Sequence, residues 1–153
     1  MPKPTIYLGA DHAGWKMKEA VESALRADGF DVTDLGNQVL EATDDYPEFA
    51  FKVANEVANH PGSFGVLSCG SAEGVCIVAN KVKGIRAAVI YSQFAAESSR
   101  TDDDANIAFI PGRGVSTEDG VRMIQQFLAT KFSGAERHQR RIAKIAEIEN
   151  QTL

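Results

Sequence analysis

Residues 64–74, Phe-Gly-Val-Leu-Ser-Cys-Gly-Ser-Ala-Glu-Gly, combine residue types that can hold an anion and move a proton. A short apolar run, Phe64–Leu67, leads to Cys69 in a turn rich in glycine and serine, and a helix-compatible segment follows from Val75 to Asn80. Successive backbone N–H groups in such a turn, next to a helix N-terminus, form a cradle for negative charge. The same field is expected to lower the pKa of the Cys69 thiol. A base beside an anion cradle suits proton abstraction next to a carbonyl, so the turn indicates an enzyme.

Cys69 could serve one of three kinds of chemistry or a purely structural role. A phosphatase loop would need an arginine within the turn, and residues 71–75 contain none. A redox pair would need the spacing C-x-x-C, whereas Cys69 and Cys76 are seven residues apart. The local sequence leaves open a general base over an anion cradle and a small residue buried at a strand end. Cys76 is interpreted as core packing.

Alternating strands and helices must position this turn. The predicted strands are Thr5–Gly9, Phe30–Leu35, Phe64–Leu67, Ile85–Tyr91 and Asn106–Ile110. The predicted helices are Trp15–Ala27, Pro47–Ala58, Val75–Asn80, Gln93–Arg100, Glu118–Phe132 (capped by Thr117) and Ala135–Glu149. This order predicts one domain, residues 1–153, with a three-layer αβα Rossmann-like fold: a five-stranded parallel sheet and a C-terminal helix. The apolar composition of the fourth strand predicts burial on both faces.

Ligands of such folds bind beyond the carboxyl ends of the strands. The turn after the first strand, residues 9–14, offers Asp11 as a cap for the following helix. His12 in the same turn faces the Cys69 turn and could hold an anionic substrate as a cation or donor. Neither turn has the G-x-G-x-x-G pattern of dinucleotide sites, and the chain lacks the phosphate loop of nucleoside-triphosphate enzymes.

The last predicted helix carries a basic cluster at residues 137–141, within an acidic protein. Arg137 and Arg141 share a helix face, and His138 lies on a neighbouring one. Guanidinium forks held in this way suit a phosphate. The alternative is a solvated face paired with acids such as Glu136. Arg113, after the fifth strand, would add a cation at the ligand-binding edge.

Composition limits the classes of partner. The net charge of −5 argues against a dedicated nucleic-acid binder. No apolar run approaches the roughly 20 residues of a membrane span, and the N-terminal residues lack the apolar core of a signal peptide. Two closely spaced cysteines are unsuited to a stabilising disulfide. We therefore expect a cytoplasmic protein with no membrane or nucleic-acid partner.

Six segments, taken in order, resemble the B-type ribose-5-phosphate isomerases of the RpiB/LacA/LacB family of sugar-phosphate isomerases. The segments are residues 9–14 (GADHAG), 45–47 (DYP), 69–74 (CGSAEG), 79–87 (ANKVKGIRA), 104–106 (DAN) and 137–141 (RHQRR). The resemblance extends from about Thr5 to Ile148.

The resemblance implies interconversion of an aldose phosphate and its ketose phosphate through a cis-enediolate, with no metal and no cofactor. Cys69 matches the family's cysteine base, which moves a proton between C1 and C2. In another branch a glutamate does this, and Val75 at that place makes the chain similar to the cysteine branch. Ser71 and the backbone from Gly70 to Gly74 would stabilise the enediolate oxygens.

The resemblance also implies the substrate contacts and a phosphorylated sugar as substrate. Asp11 and Asn80 would hold sugar or enediolate oxygens, and Tyr46 would pack on the substrate. The phosphate-binding set would be His12, Arg113, Arg137, His138 and Arg141. Active sites of the family are shared between two subunits, which implies a homodimer, paired into a tetramer in some members.

One departure from the family pattern concerns ring opening. Members with furanose substrates typically have Arg-x-His-Asn-Asp before the fifth strand, and that histidine is assigned to opening the sugar ring. Here Asp102 stands in place of the histidine, and Asp103 takes the place of the asparagine. Asp102 could act as a proton shuttle, although a reference pKa of about 3.9 makes a carboxylate a poor acid at neutral pH unless its surroundings raise it. A solvated acidic loop is the alternative.

Ala72 in place of the usual glycine and the acidic Glu73 are smaller departures. The sequence therefore predicts a ribose 5-phosphate isomerase with an altered ring-opening step. One alternative is an isomerase of another aldose phosphate, a hexose 6-phosphate or an open-chain tetrose 4-phosphate. The other is a noncatalytic relative that binds sugar phosphates.

Overall fold

The computed structural model describes residues 2–36 and 38–152. Strands and helices alternate along these residues, as predicted. The strands are β1 (Thr5–Ala10), β2 (Asp31–Asp34), β3 (Phe64–Cys69), β4 (Ala87–Val89) and β5 (Ile107–Pro111). The helices are α1 (Trp15–Ala27), α2 (Tyr46–Asn59), α3 (Glu73–Ala79), α4 (Gln93–Thr101), α5 (Thr117–Ala129) and α6 (Glu136–Thr152).

The strands form one five-stranded sheet in the order β2-β1-β3-β5-β4, and all pairings are parallel. This confirms the predicted α/β fold. The register sets Ala10 beside Ser68 and Cys69 beside Pro111. The turns that follow β1, β3 and β5 therefore meet at one edge, the carboxyl edge of the sheet. The strand order reverses between β1 and β3, which is where such sheets bind ligands.

Apolar side chains alternate between the two faces of the sheet and build a core layer on each. Ile6 and Leu8 of β1 face α1, α4 and α5, where Phe127 is fully buried. Tyr7 of β1 faces the other way, toward the layer formed with α2 and α3. This two-residue period is inherent to a strand, and burial of both faces explains the nearly continuous apolar runs.

Two local predictions were wrong. The fourth strand is short, lies at the edge of the sheet and is only partly buried, because strand order depends on long-range pairing that its apolar composition does not encode. Helix α5 is capped by Ser116, whose Oγ accepts a hydrogen bond from the N–H of Asp119 at 3.1 Å, and not by Thr117. Thr117 is instead the first residue of the helix.

Helix α6 packs on the rest of the subunit mainly through its ends. At its start His138 is buried, and near its end the carboxylate of Glu149 accepts a hydrogen bond from the N–H of Gly84 at 2.9 Å. Between these anchors the apolar side chains of Ile145 and Ile148 remain 48% and 61% exposed. The apolar stripe of this amphipathic helix is therefore largely exposed at the surface of the chain.

Candidate active site

Strand β3 carries Cys69 to the carboxyl edge, where residues 70–72 turn into α3. The Cys69 Sγ accepts a hydrogen bond from the N–H of Ala72 at 3.2 Å, and its carbonyl accepts one from Gly112 at 2.7 Å. Ala72 has a φ of 69°, in the left-handed region that glycine adopts most readily. This conformation turns the N–H of Ala72 back toward the sulfur. The predicted pairing of a thiol with a cradle of N–H groups is present.

The Cys69 thiol is 5% exposed, and this burial raises its pKa above the ordinary value of 9.0. Hydrogen bonds from the N–H groups of Val75, Ala72 and Ser71 oppose the rise, and the Asp11 carboxylate adds to it. The prediction of a lowered pKa was wrong, because desolvation of a thiolate outweighs the field of the turn. The free protein therefore holds Cys69 as a thiol near neutral pH.

The turn after β1 packs directly against the Cys69 turn. A Cβ on Gly14 would lie 2.2 Å from the Ser68 carbonyl oxygen, so only glycine allows this approach. Asp11 is buried, and its Oδ1 accepts hydrogen bonds from the N–H groups of Ala13 and Gly14 at 3.0 and 3.1 Å. Asp11 thus organises the turn ahead of α1. It does not cap that helix as predicted, because the N-cap is Gly14 and the helix start has no side-chain cap hydrogen bond.

His12 is held by a carboxylate that sequence reasoning did not identify. The Asp44 Oδ1 lies 2.8 Å from His12 Nδ1 and also accepts the backbone N–H of His12 at 3.0 Å. Because a carboxylate can only accept, Nδ1 carries a hydrogen in this arrangement. Asp44 is 32 residues away from His12 in the chain, and no local pattern predicts the pair.

Arg113 and Tyr46 also lie beside the Cys69 turn. The Arg113 N–H donates to the Gly70 carbonyl at 3.0 Å, and its guanidinium lies over Gly70, with Nη1 3.3 Å from where a Cβ would stand. The Tyr46 ring lies on Gly74, where a Cβ would be 2.6 Å from Cζ. The carboxyl edge therefore brings together the predicted residues Asp11, His12, Tyr46, Cys69, Ser71 and Arg113.

Three of the eight arginines form no hydrogen bond or ion pair through their side chains within residues 2–36 and 38–152: Arg113, Arg137 and Arg141. These three are the arginines of the predicted phosphate-binding set. Arg140, outside that set, is 3.9 Å from Glu136. The alternative interpretation of this helix face, in which acids such as Glu136 pair with the arginines, therefore holds for Arg140 but not for Arg137 or Arg141.

A second group of predicted residues lies at the opposite, amino edge of the sheet. Helix α4 runs back from the carboxyl edge, and Asp102 caps its end. His138 of α6 lies beside it, with Nδ1 3.6 Å from the Asp102 carboxylate and 3.0 Å from Ser133 Oγ. Asp103 is exposed in the same turn. Within the chain this group and Cys69 are at opposite ends of the sheet.

Asn80 does not lie with the Cys69 turn. It caps the end of α3 at the amino edge, where its amide pairs with both backbone groups of Ala87: Nδ2 donates to the carbonyl at 3.0 Å, and Oδ1 accepts from the N–H at 2.9 Å. The prediction that Asn80 holds sugar oxygens is corrected to a structural role at the start of β4. The amide is already committed to backbone groups that would otherwise be unpaired.

Glu73 is exposed and lines a surface groove along α3 together with Cys76 and Ile77. Its carboxylate is therefore part of the outer helix face. Cys69 and Cys76 are both free cysteines.

Lys18 is a buried residue that the sequence analysis missed. Burial lowers its pKa, but hydrogen bonds to Asp34 and Glu19 outweigh this and raise it. A signal was present, because residue 18 shares a helix face with the apolar residues Val21 and Leu25. The pair of Lys18 with Asp34 anchors the end of β2 beside the site.

Two groups of side chains have spacing that could suit a metal ion: Asp11, His12 and Asp44, and Glu19, Glu22 and Asp34. In the first group, the oxygens already accept hydrogen bonds from backbone N–H groups and from the imidazole. In the second, the Lys18 ammonium already binds two of the three carboxylates. In both groups, partners within the protein therefore already occupy atoms that a cation would need as ligands. Among the described helices none is long and apolar enough to cross a membrane.

Comparisons with known proteins identify the family. Residues 6–145 match the family model described as Ribose/Galactose Isomerase. A probable ribose-5-phosphate isomerase B of Mycoplasma genitalium is 40% identical over 148 residues, which cover 96% of this chain and 97% of the relative. Ribose-5-phosphate isomerase B of Mycobacterium tuberculosis is 38% identical over 94% of this chain and 89% of its own length.

The fold is similar over the same extent. The crystal structure of ribose-5-phosphate isomerase B from Mycoplasma genitalium with bound ribulose-5-phosphate superposes with a TM-score of 0.94 at 39% identity, covering 99% of this chain and 100% of that one. Type B ribose 5-phosphate isomerase of Trypanosoma cruzi also gives a TM-score of 0.94, at 40% identity over 99% of each chain. This chain belongs to the ribose/galactose isomerase family.

Proposed function

We propose that the chain is an aldose–ketose isomerase that interconverts ribose 5-phosphate and ribulose 5-phosphate through a cis-enediolate. One observation carries the mechanism: a buried thiol lies against backbone N–H groups at the carboxyl edge, between the turns after β1 and β5. The names of the close relatives and the ribulose-5-phosphate bound in one of them support the choice of substrate. The reaction needs no cofactor or metal.

Cys69 is the proposed base. As a thiolate it removes the proton from C2 of the open-chain aldose, and the electron pair moves onto the carbonyl to give the enediolate. The hydrogen of the C2 hydroxyl passes to the C1 oxygen, and the same thiol returns its proton to C1. This gives the ketose and regenerates the thiolate, so atoms and charge balance. Ser71 and the N–H groups from Gly70 to Gly74 stabilise the negative oxygen, with Asp11 and Tyr46 as further substrate contacts.

The phosphate is held by five side chains, three of which are arginines without an acidic partner among the described residues. Arg113, Arg137 and Arg141 supply guanidinium groups whose charge no described carboxylate neutralises. His12 and His138 complete the set, and each has a carboxylate beside Nδ1. A dianionic phosphate suits such a cluster, because bidentate guanidinium contacts are charge-assisted.

A complete site requires two copies of the chain. Cys69 and Arg113 lie at the carboxyl edge, whereas His138 and the first turns of α6 lie at the amino edge of the same subunit. A partner related by a two-fold axis would bring its α6 arginines to the Cys69 turn of the first subunit, and the reverse. We propose a homodimer with two shared sites, from which a tetramer could be built.

Exposed apolar side chains support this association. Ile77 on α3, Tyr91 after β4 and Phe94 on α4 are 62%, 68% and 76% exposed. Together with the stripe of α6, these are large apolar side chains that a second copy of the chain would bury. Because the proposed base must remain a free thiol, we place the enzyme in the reducing cytoplasm.

The test is a panel of aldose phosphates with four to six carbons, assayed with the natural chain, Cys69→Ala and Cys76→Ala. Cys76→Ala is the matched control, since it removes the other thiol from the neighbouring helix. We expect the highest kcat/KM with ribose 5-phosphate, a loss of about 10²–10⁴-fold in Cys69→Ala, and little change in Cys76→Ala. A higher kcat/KM for a tetrose or hexose phosphate would reject ribose 5-phosphate as substrate, and equal activity of both variants would reject the base.

A further inference from the structure

The His138 imidazole is held in a way that differs from the arginines beside it. His138 is 4% exposed, and its Nδ1 lies 3.0 Å from Ser133 Oγ and 3.6 Å from the carboxylate of Asp102. Among the described residues, its Nε2 has no hydrogen-bond partner and is not one of the side-chain atoms sealed from solvent. One nitrogen is therefore fixed inside the subunit, and the other is left for a group from outside.

The neighbours of Nδ1 determine where the ring carries its hydrogens. A carboxylate only accepts, so a bare Nδ1 lone pair facing Asp102 would be repelled, and Nδ1–H is favoured. Phosphate oxygens also accept, so Nε2 must carry a hydrogen as well when it meets a phosphate. The bound form of His138 is then the imidazolium, and Asp102 is the nearby negative charge that balances it.

Asp102 has a partner within its own chain, which favours a role other than the proton shuttle expected from its position in the sequence. Its side chain is 49% exposed, and the group it faces is His138. We propose that Asp102 is a positioning residue: with Ser133 it fixes the His138 imidazole so that Nε2 binds the substrate phosphate. Asp102 thus acts through His138 and does not itself open the sugar ring. The proposal rests on the proposed function, of which it specifies the phosphate contact.

The same arrangement occurs at the other histidine of the set. Asp44 lies on Nδ1 of His12 as Asp102 lies on Nδ1 of His138, although Asp44 is closer, at 2.8 Å. Two carboxylates near an anion site would weaken binding if they faced the anion directly. Both instead lie beside Nδ1 of an imidazole, so that the opposite edge of the protonated ring carries positive charge toward the substrate.

The first test uses inorganic phosphate as a competitive inhibitor of ribose 5-phosphate isomerisation. Asp102→Asn is compared with Glu136→Gln, which removes an exposed acid on α6, two residues from His138, that pairs only with Arg140 within the described residues. We expect about a tenfold higher inhibition constant for phosphate in Asp102→Asn, and no change in Glu136→Gln. Equal inhibition constants in the two variants would overturn the proposal.

The second test separates positioning from ring opening. Ribulose 5-phosphate has no furanose form, because its C5 oxygen carries the phosphate, so exchange of solvent deuterium into its C1 requires no ring opening. If Asp102 acts through the phosphate contact, Asp102→Asn lowers kcat/KM for this exchange and for isomerisation of ribose 5-phosphate by the same factor. If Asp102→Asn exchanged deuterium at the normal rate but isomerised ribose 5-phosphate slowly, Asp102 would act in ring opening, and the proposal would be overturned.

A third measurement uses the unaltered protein. In ¹⁵N-histidine spectra, His138 should carry hydrogen on Nδ1 in the free protein and on both nitrogens when inorganic phosphate is bound. A hydrogen on Nε2 alone in the free protein would contradict the proposed role of Asp102. Absence of exchange by the natural chain would instead reject the proposed function, so the two failures are distinguishable.

Discussion

Replacing Gly74 by alanine tests whether Tyr46 is held against the Cys69 turn as the structure shows. The new Cβ would lie 2.6 Å from Tyr46 Cζ, and ordinary contact begins at 3.4 Å, so the ring must move by about 0.8 Å. Tyr46 is 38% exposed and can swing outward, so the free energy of unfolding should fall by only about 1 kcal/mol. For a chain of this length that lowers Tm by about 2–4 °C.

The functional effect should be larger than the effect on stability, because the displaced ring would leave the substrate contact proposed for Tyr46. We expect KM for ribose 5-phosphate to rise several-fold, measured by steady-state kinetics beside thermal unfolding. In a Tyr46→Ala background, Gly74→Ala should cost almost no stability. The same loss of Tm in both backgrounds would refute the reasoning. Gly14→Ala is the contrasting case, since its Cβ would meet a backbone carbonyl that cannot swing away, and Tm should fall much further.

Three further predictions concern the thiol, the phosphate site and the dimer. Because burial raises the pKa of Cys69 above 9.0 and the thiolate is the proposed active form, kcat/KM should rise about tenfold per pH unit from pH 7 to 8 and continue to rise above pH 8; a plateau below pH 8 would contradict this. Arg113→Ala should raise KM at least tenfold while Arg122→Ala, which removes an exposed paired arginine, leaves it unchanged; equal KM values would remove Arg113 from the site. Mixing the inactive variants Cys69→Ala and Arg137→Ala should restore about a quarter of the natural activity. Half of the dimers then contain one copy of each variant, and one of the two sites in each such dimer is intact. No recovery of activity would reject shared sites.

Much of the fold could be predicted because its signals are local. The boundaries of α1 follow from helical spacing ended by Gly29, which has a positive φ of 81°. The place of Cys69 at the carboxyl edge follows from a strand that runs into a glycine-rich turn. Parallel pairing then brings the Asp11 turn and Arg113 to the same edge, since all strands of such a sheet end together.

What could not be predicted depends on distant pairs and on burial. Asp44 holds His12 across 32 residues, and Asp102 meets His138 across two helices. The amide of Asn80 is taken by the backbone of Ala87, which depends on where the edge strand begins. The direction of the Cys69 pKa shift was missed because the sequence shows the N–H groups of the turn but not the depth of the sulfur.

The central claim is that the Cys69 thiolate moves one proton between C1 and C2, and solvent deuterium tests it most directly. In ²H₂O the natural chain and Cys76→Ala should introduce deuterium at C2 of ribose 5-phosphate and C1 of ribulose 5-phosphate, as followed by ¹H NMR. Cys69→Ala should introduce none at either carbon on the same timescale. Exchange at an undiminished rate in Cys69→Ala would show that another group is the base and would contradict the account.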